Sequence, residues 1–330
     1  MTASVPAVST TAPTVADVDA LRGRLTGYCY RMLGSAADTD DAVQETVIRA
    51  VGNLERFDPG RAALSTWVHA IATRVCLDML RGARRRALAT DLGPAASGGD
   101  IGAPLPAEAF VEPMPDSRLL EAQDPGDAVV ARETVRLAFV AALQRLPPRQ
   151  RAVLVLRDVL AFSAREVADA LGVSVAAANS ALQRARATLE AHRPDPVDLA
   201  EPDDAGQRDL LRRYVAAFEA HDVAGLTALL REDATTSMPP FAWWLRGGAL
   251  IASLVAGNDE CAHDRLLVTR VNGGLGFGQY RPDDAGRLRP FALVGVEVVG
   301  GRIARTVTFL GAADRFGEFG LPLEWSTPDR

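Results

Sequence analysis

The chain has little of what cross-linking or metal binding requires. Its three cysteines, Cys29, Cys76 and Cys261, are far apart and odd in number, and no CxxC or clustered His/Cys spacing occurs. That pattern argues against a disulfide framework and a structural zinc site, and free thiols in a reducing compartment are expected. No stretch is long and apolar enough to span a membrane. Residues 1–19 contain no Lys or Arg, so the basic start of a signal peptide is missing. Residues 1–17 read as a flexible tail, and the expected location is cytoplasmic. Positive charge is not in excess either: 36 Lys+Arg stand against 42 Asp+Glu, a net charge of −6. A whole-chain attraction to nucleic acid is thereby excluded, and any such contact has to come from local patches.

Such patches are present. Arg61, Arg74, Arg81, Arg84, Arg85 and Arg86 fall close together, with Asp78 as the opposing charge. A second basic stretch runs from Arg145 to Arg193, and the segment between the two is acidic. At 330 residues and 48% hydrophobic, the chain can bury the cores of two or three domains.

The second basic stretch contains the most informative motif. Ser163 and Glu166 form a capping box, and Val167, Ala168 and Leu171 then share a face up to the Gly172 stop. Ser174 caps another helix, in which Ala178, Leu182, Ala185 and Leu189 recur at helical spacing. The result is a helix-turn-helix whose second helix presents Asn179, Ser180, Gln183 and Arg184, with Arg186 nearby. These are amide, hydroxyl and guanidinium groups, suited to base edges and phosphates in a major groove. An ordinary helical hairpin with a solvated polar face is the plain alternative.

Upstream, residues 18–88 read as a helical bundle. One helix covers Leu21–Leu33 and stops at Gly34. A second runs through DDAVQETVIRAVGNL, with an apolar stripe of Val43, Val47, Ala50 and Leu54. Asp41, Gln44, Glu45 and Ile48 lie on its other face. A third is expected to be capped by Ser65 or Thr66 and to run into the arginine cluster, packing through Trp67, Ile71, Val75 and Leu80.

DTDDAVQETVIRAV followed by STWVHAIATRVCLDMLRGARRR resembles region 2 of sigma-70 family factors, more narrowly those of the extracytoplasmic-function (ECF) class. LQRLPPRQRAVLVLRDVLAFSAREVADALGVS with the helix-turn-helix resembles region 4 of the same class, and the two blocks occur in the family's order. The resemblance implies that the helix holding Asp41, Val43, Gln44, Glu45 and Thr46 docks on the β′ clamp of RNA polymerase, through Asp41, Gln44, Glu45 and Ile48. It implies that region 4 meets the β flap and reads the minus-35 promoter element with Asn179, Ser180, Gln183, Arg184 and Arg186. The minus-10 element would fall to Arg61, Trp67, Arg74, Arg81, Arg84, Arg85 and Arg86, although Trp67 also suits a core position. Val47 and Val51 stand where many members carry aromatic residues, and Asn179 and Ala181 where basic residues are common. A looser grip on phosphates is the expected consequence.

Residues 89–127 are rich in Ala, Gly, Pro and acidic side chains and read as an extended, weakly ordered linker. The resemblance implies that this linker threads polymerase near the RNA exit path, with Glu112, Asp116, Glu121 and Asp124 as mimics of RNA phosphates; a plain solvated tether is the alternative. Residues 128–193 form the region 4 unit, with a helix from Ala128 to Leu146 ended by Pro147-Pro148, and another from Arg149 to Leu160. A second linker, 194–206, leads to a C-terminal unit over 207–326. Its pattern is helices first, then alternating strands over Asp264–Tyr280, Phe291–Val299 and Arg302–Leu310, with a Gly300-Gly301 hairpin turn. A curved antiparallel sheet in an α+β arrangement follows. It resembles the SnoaL-like, NTF2-like cone, which implies a pocket for a small-molecule ligand.

The expected architecture is therefore multidomain: two all-α sigma domains followed by an α+β cone. The expected function is promoter-directed initiation with core polymerase, with the cone as a fused regulatory domain. His221, Asp233, His263 and Asp264 show no diagnostic spacing, so no catalytic residue, metal site or cofactor is assigned. The rival readings are an operator-binding regulator with a ligand-sensing cone, and a small-molecule isomerase or hydrolase carrying a DNA-binding appendage.

Overall fold

A computed structural model describes residues 12–120, 128–192, 197–198 and 204–325. Residues 1–11 of the expected tail, 121–127 of the first linker and most of the second linker lie outside them.

The N-terminal unit contains α1 (Val15–Asp19), α2 (Arg22–Leu33), α3 (Ala36–Gly52) and α4 (Leu64–Met79). Helix α2 stops at Gly34, which adopts the left-handed φ of 68° that glycine tolerates. Ser35 caps α3 by accepting from the Asp38 amide at 3.2 Å. Helix α4 starts at Leu64 after Ala63, not at a Ser65 or Thr66 cap. The Thr66 hydroxyl is otherwise engaged, donating to Glu166 Oε1 of the helix-turn-helix at 2.7 Å. The same helix ends at Met79, so Arg81 falls in the turn that follows it and Arg84–Arg86 in irregular chain beyond.

After α5 (Asp116–Leu120), the region 4 unit comprises α6 (Ala128–Val135), α7 (Leu137–Gln144), α8 (Pro148–Leu154), α9 (Ala164–Leu171) and α10 (Val175–Glu190). The single helix expected over 128–146 is broken at Arg136, whose ψ is 143°. That extended residue frees the Val135 carbonyl for Asn272 (2.8 Å) and lets Arg136 pair with Glu297 at 3.1 Å. Pro148 sits in the first turn of α8, where its missing N–H costs nothing. The Ser163–Glu166 capping box, the left-handed Gly172 and the Ser174 cap all form as the motif predicts.

The C-terminal unit begins with α11 (Ala205–Glu219) and α12 (Val223–Leu229), and α13 (Gly248–Ala256) follows two strands later. Its strands are β1 (Leu230–Ser237), β2 (Trp244–Arg246), β3 (Arg265–Val271), β4 (Gly274–Pro282), β5 (Leu288–Val299) and β6 (Arg302–Phe309). They form one sheet in the order β2-β1-β6-β5-β4-β3. The sheet is mixed rather than antiparallel, because β1 and β6 pair in parallel. These strands are far apart in sequence, so no hairpin fixes their relative direction. Gly300 and Gly301, at φ 60° and 71°, make the expected turn between β5 and β6. The expected strand over 264–280 is in fact a hairpin. Asn272 and Gly273, at φ 54° and 73°, turn the chain back with Val271 opposite Gly274.

The units share cores. One apolar cluster joins α2, α3 and α4 to α8, α9 and α10. A second joins Tyr30 of α2, Val111 and Met114 of the interdomain segment, Leu137 and Val140 of α7, and Leu293 and Phe309 of the sheet. A third fills the cone under α11 and α13. The weakly ordered linker expected over 89–127 is therefore corrected for its described part. Phe110, Val111, Met114 and Leu119 are buried. The segment's backbone is satisfied by its neighbours: the Ala96 amide donates to Trp244 O at 2.8 Å, and the Leu105 amide to Pro240 O at 2.8 Å. Trp243 and Trp244 donate from their indoles to Gly98 O (2.8 Å) and Gly93 O (2.9 Å).

The Asn272 side chain ties the units together. Its Nδ2 donates to Tyr30 Oη of α2 (2.6 Å) and to Val135 O of α6 (2.8 Å). Its Oδ1 accepts from the Met114 amide at 2.9 Å. N272G keeps the turn conformation and deletes these bonds, leaving buried groups unpaired. It should lower stability by about 2–4 kcal/mol; urea melts check the loss, and small-angle scattering should show a larger radius.

Candidate polymerase and promoter interfaces

The face expected to meet polymerase lies on α3. Ala42, Val43, Thr46 and Ala50 are buried, which turns Asp41, Gln44 and Ile48 outward. Ile48 is 58% exposed, an apolar side chain beside carboxylates and an amide, as a protein interface favours. Glu45 is half-buried and paired with Arg49 at 2.6 Å. Beside this face lies a groove lined by Gln44, Val47, Ile48 and Arg118. Arg118, on α5, pairs with Asp40 of α3 and at 3.5 Å with Glu318 of the C-terminal unit. The interdomain segment and the cone thus border the α3 face.

Of the residues expected at the minus-10 element, Arg61, Arg74, Arg81, Arg84 and Arg85 are exposed. Arg84 and Arg85 also line a groove that includes Arg145 of the region 4 unit. Trp67 is half-buried, its ring 5.4 Å from Phe57. Arg86 does not belong with them. It is buried, pairs with Asp38 at 2.8 Å and with Glu112 at 3.4 Å, and donates to Phe110 O at 3.1 Å. The chain at Ala87 bridges to Phe110, which draws Arg86 inward while it still borders the groove of Arg84 and Arg85.

Another face of α4 is covered by the helix-turn-helix. Besides the Thr66–Glu166 bond, His69 lies edge-on to Phe162, with ring centroids 5.4 Å apart. Its Nδ1 meets Ser65 O at 2.8 Å, while Nε2 is buried without a partner among the described residues. Burial holds this imidazole neutral, down to about 4 from its ordinary 6.5.

On α10, Ala178, Leu182 and Ala185 face the core, and Asn179, Ser180, Gln183 and Arg184 are exposed together. Arg186 is exposed but committed. Its Nε and Nη2 donate to the two oxygens of Asp158 at 2.9 and 2.6 Å, which raises its pKa. It braces α10 against the π-helical segment Val155–Val159.

Among the groups weighed for acid–base chemistry, none converges. His221 is held between Ala256 O (2.8 Å) and Cys261 O (3.3 Å). Asp233 pairs with Arg231 at 2.8 Å, and His263 is exposed. Asp264 is buried, ion-paired with Arg281 and accepts a further hydrogen bond from Gln279 Nε2. Sequence reasoning passed over Asn272, and it read Glu112 and Asp116 only as phosphate mimics. Glu112 Oε2 accepts from the Ala36 amide at 2.8 Å, and Asp116 Oδ1 accepts from the Gly273 amide at 2.6 Å. The Asn-Gly dipeptide was the one local signal for this junction.

Comparisons with known proteins agree with this layout. Sigma-70 region 2 matches residues 18–86, and sigma-70 region 4 matches residues 136–189. The chain is 43% identical over 314 residues to the ECF RNA polymerase sigma factor SigG of Mycobacterium tuberculosis, covering 93% of this chain and 83% of that one. It is 35% identical over 222 residues to SigJ of the same species, covering 67% of this chain and 63% of SigJ. The crystal structure of SigJ superimposes with a TM-score of 0.61 at 26% identity, covering 94% of this chain and all of that one. The protein belongs to the ECF class of RNA polymerase sigma factors, with an α+β cone of the SnoaL-like type after region 4. No described helix is long and apolar enough to cross a membrane.

His69 gives a pH test of the contact between α4 and the helix-turn-helix. Its folded pKa lies below its unfolded one, so the unfolded chain binds more protons between about 4 and 6.5. The stability it contributes is complete above that window and is lost as pH falls. Urea melts should show His69 costing about 2 kcal/mol by about pH 5, relative to an H69Q variant measured in parallel.

Proposed function

We propose that this sigma factor rests in a closed form. In it, region 4 sits on the minus-10 helix α4, and the cone clasps both regions until polymerase and promoter draw them apart. The carrying observation is the Thr66–Glu166 bond and the buried His69–Phe162 contact on the very helix assigned to the minus-10 element. In this reading α3 docks on the β′ clamp through Asp41, Gln44 and Ile48, with Glu45 released from Arg49. The exposed Arg61, Arg74, Arg81, Arg84 and Arg85 neutralise phosphates during strand separation, with Trp67 beside them. Asn179, Ser180, Gln183 and Arg184 read the minus-35 element while region 4 meets the β flap.

The cone is regulatory and not catalytic, because its candidate acid–base groups are paired away or exposed. A ligand in it could act only by binding the closed and open forms differently. The cytoplasm, where polymerase works, is the corresponding location. An operator-binding role without polymerase would leave the exposed α3 motif without a purpose.

Run-off transcription with purified core polymerase, the full-length chain and a selected promoter pool tests this reading. Transcripts should depend on the added protein. An R84A/R85A variant should lose open complexes, and I48E should lose core binding, each by about tenfold. At limiting protein, N272G should give more transcript than the parent. DNA binding without transcription from any form would replace this reading with an operator-binding regulator.

A further inference from the structure

The cone encloses a cavity of about 610 Å³, within the range of small-molecule sites. Its walls include Tyr214, Phe218, Ile251, Leu254 and Phe277. The polar end is built around Arg281. That guanidinium lies 3.7 Å over the Phe291 ring. Its Nε and Nη2 donate to the buried Asp264 carboxylate, each at 2.9 Å, and Gln279 Nε2 donates to the same carboxylate at 2.6 Å. Nη2 also reaches Cys261 Sγ at 3.7 Å, Nη1 has no hydrogen-bond partner among the described residues, and Arg281 lines the cavity. A rigidly held donor edge is therefore available in a chamber whose remaining walls are mainly apolar, with Thr236, Asn258, Thr306 and Thr308 among them.

The charges decide what that edge accepts. Arg281 is offset by Asp264, and Glu260 also lines the cavity. The local sum is negative, so a carboxylate or phosphate would enter against repulsion. A neutral oxygen acceptor can take the Nη1 protons without that cost.

The cavity is completed by the interdomain segment. Gly99 and Ile101 are among its lining residues. The strap is pinned by Trp243 Nε1 on Gly98 O (2.8 Å) and by the Ala96 and Leu105 amides on Trp244 O and Pro240 O. A few residues upstream the same chain carries Arg84 and Arg85.

We propose that the cone binds a neutral, largely apolar molecule bearing a carbonyl oxygen, held by Arg281 and roofed by residues 93–105, so that occupancy tightens this strap. The proposal deepens the regulatory reading of the cone, and rests on it only for what binding does to transcription.

Nile red, a neutral fused-ring dye with a carbonyl, is the probe. Titrated into the full-length protein, it should bind saturably at one site. A long-chain methyl ketone should displace it at concentrations about tenfold lower than the carboxylate of matched length. R281K keeps a cation near Asp264 but loses the second edge, and should weaken the dye about tenfold in a chain that still melts cooperatively. L254W, which fills the chamber, should abolish binding in a chain that still melts cooperatively. Hydrogen exchange at residues 93–105 should slow when dye is bound.

No saturable binding, preferential displacement by the carboxylate, or full affinity in both variants overturns the site. Binding without slower exchange at 93–105 overturns the strap's part in it. Run-off transcription uses no dye, so failure of the titration leaves the sigma-factor reading standing. Failure of transcription leaves the titration equally interpretable.

Discussion

The arrangement of this molecule depends on the tip of one hairpin. Asn272 holds α2, α6 and the interdomain segment through a single side chain, and its backbone amide adds a bond to Met114 O at 3.1 Å. Its neighbour Gly273 approaches so closely that a Cβ there would meet the Arg132 carbonyl at 3.0 Å. Asn tolerates the left-handed backbone the turn requires and also carries both a donor and an acceptor. Few other residues satisfy both demands. A buried polar junction of this kind is costly when half-made, so it favours one relative placement of the three units over near alternatives.

Around that junction, charge is sorted rather than accumulated. All the basic residues of the chain are arginines. Some are structural: Arg86, Arg136 and Arg151 are buried, and Arg151 donates to Gln144 O and Leu146 O at 3.1 and 3.2 Å. Others, such as Arg84, Arg85 and Arg184, remain exposed, where the proposed reading sets nucleic acid. Arginine suits both duties, because its fork can satisfy several carbonyls when buried and two phosphate oxygens when exposed. The net negative charge therefore says little about DNA binding; the partners of each guanidinium say more.

Much of this was legible beforehand, for physical reasons. Caps and stops act within a few residues, so Ser163, Glu166, Gly172 and Ser174 marked the helix-turn-helix correctly, and Gly34 and Gly300-Gly301 marked their boundaries. The amphipathic pattern of α3 and α10 placed Ile48 and Gln183 outside. Long-range pairing was not legible. Nothing local tells Arg86 that Phe110 and Asp38 will enclose it, or Arg186 that Asp158 will hold it. The segment over 89–120 looked like a tether because its apolar residues follow no helical or strand period. They are buried because two other units supply the missing walls. The parallel β1–β6 pair is likewise set by chain closure.

The shared core also orders events in time. Regions 2 and 4 precede the cone in the chain, so they emerge from the ribosome first. The second apolar cluster, which includes Tyr30, Met114, Leu137 and Val140, is completed only by residues between Val271 and Leu321. Until those strands exist, one side of the nascent sigma regions has no cover, and the clasp that closes them cannot form. In the proposed closed form, the restraint is thus synthesised after the parts that it restrains.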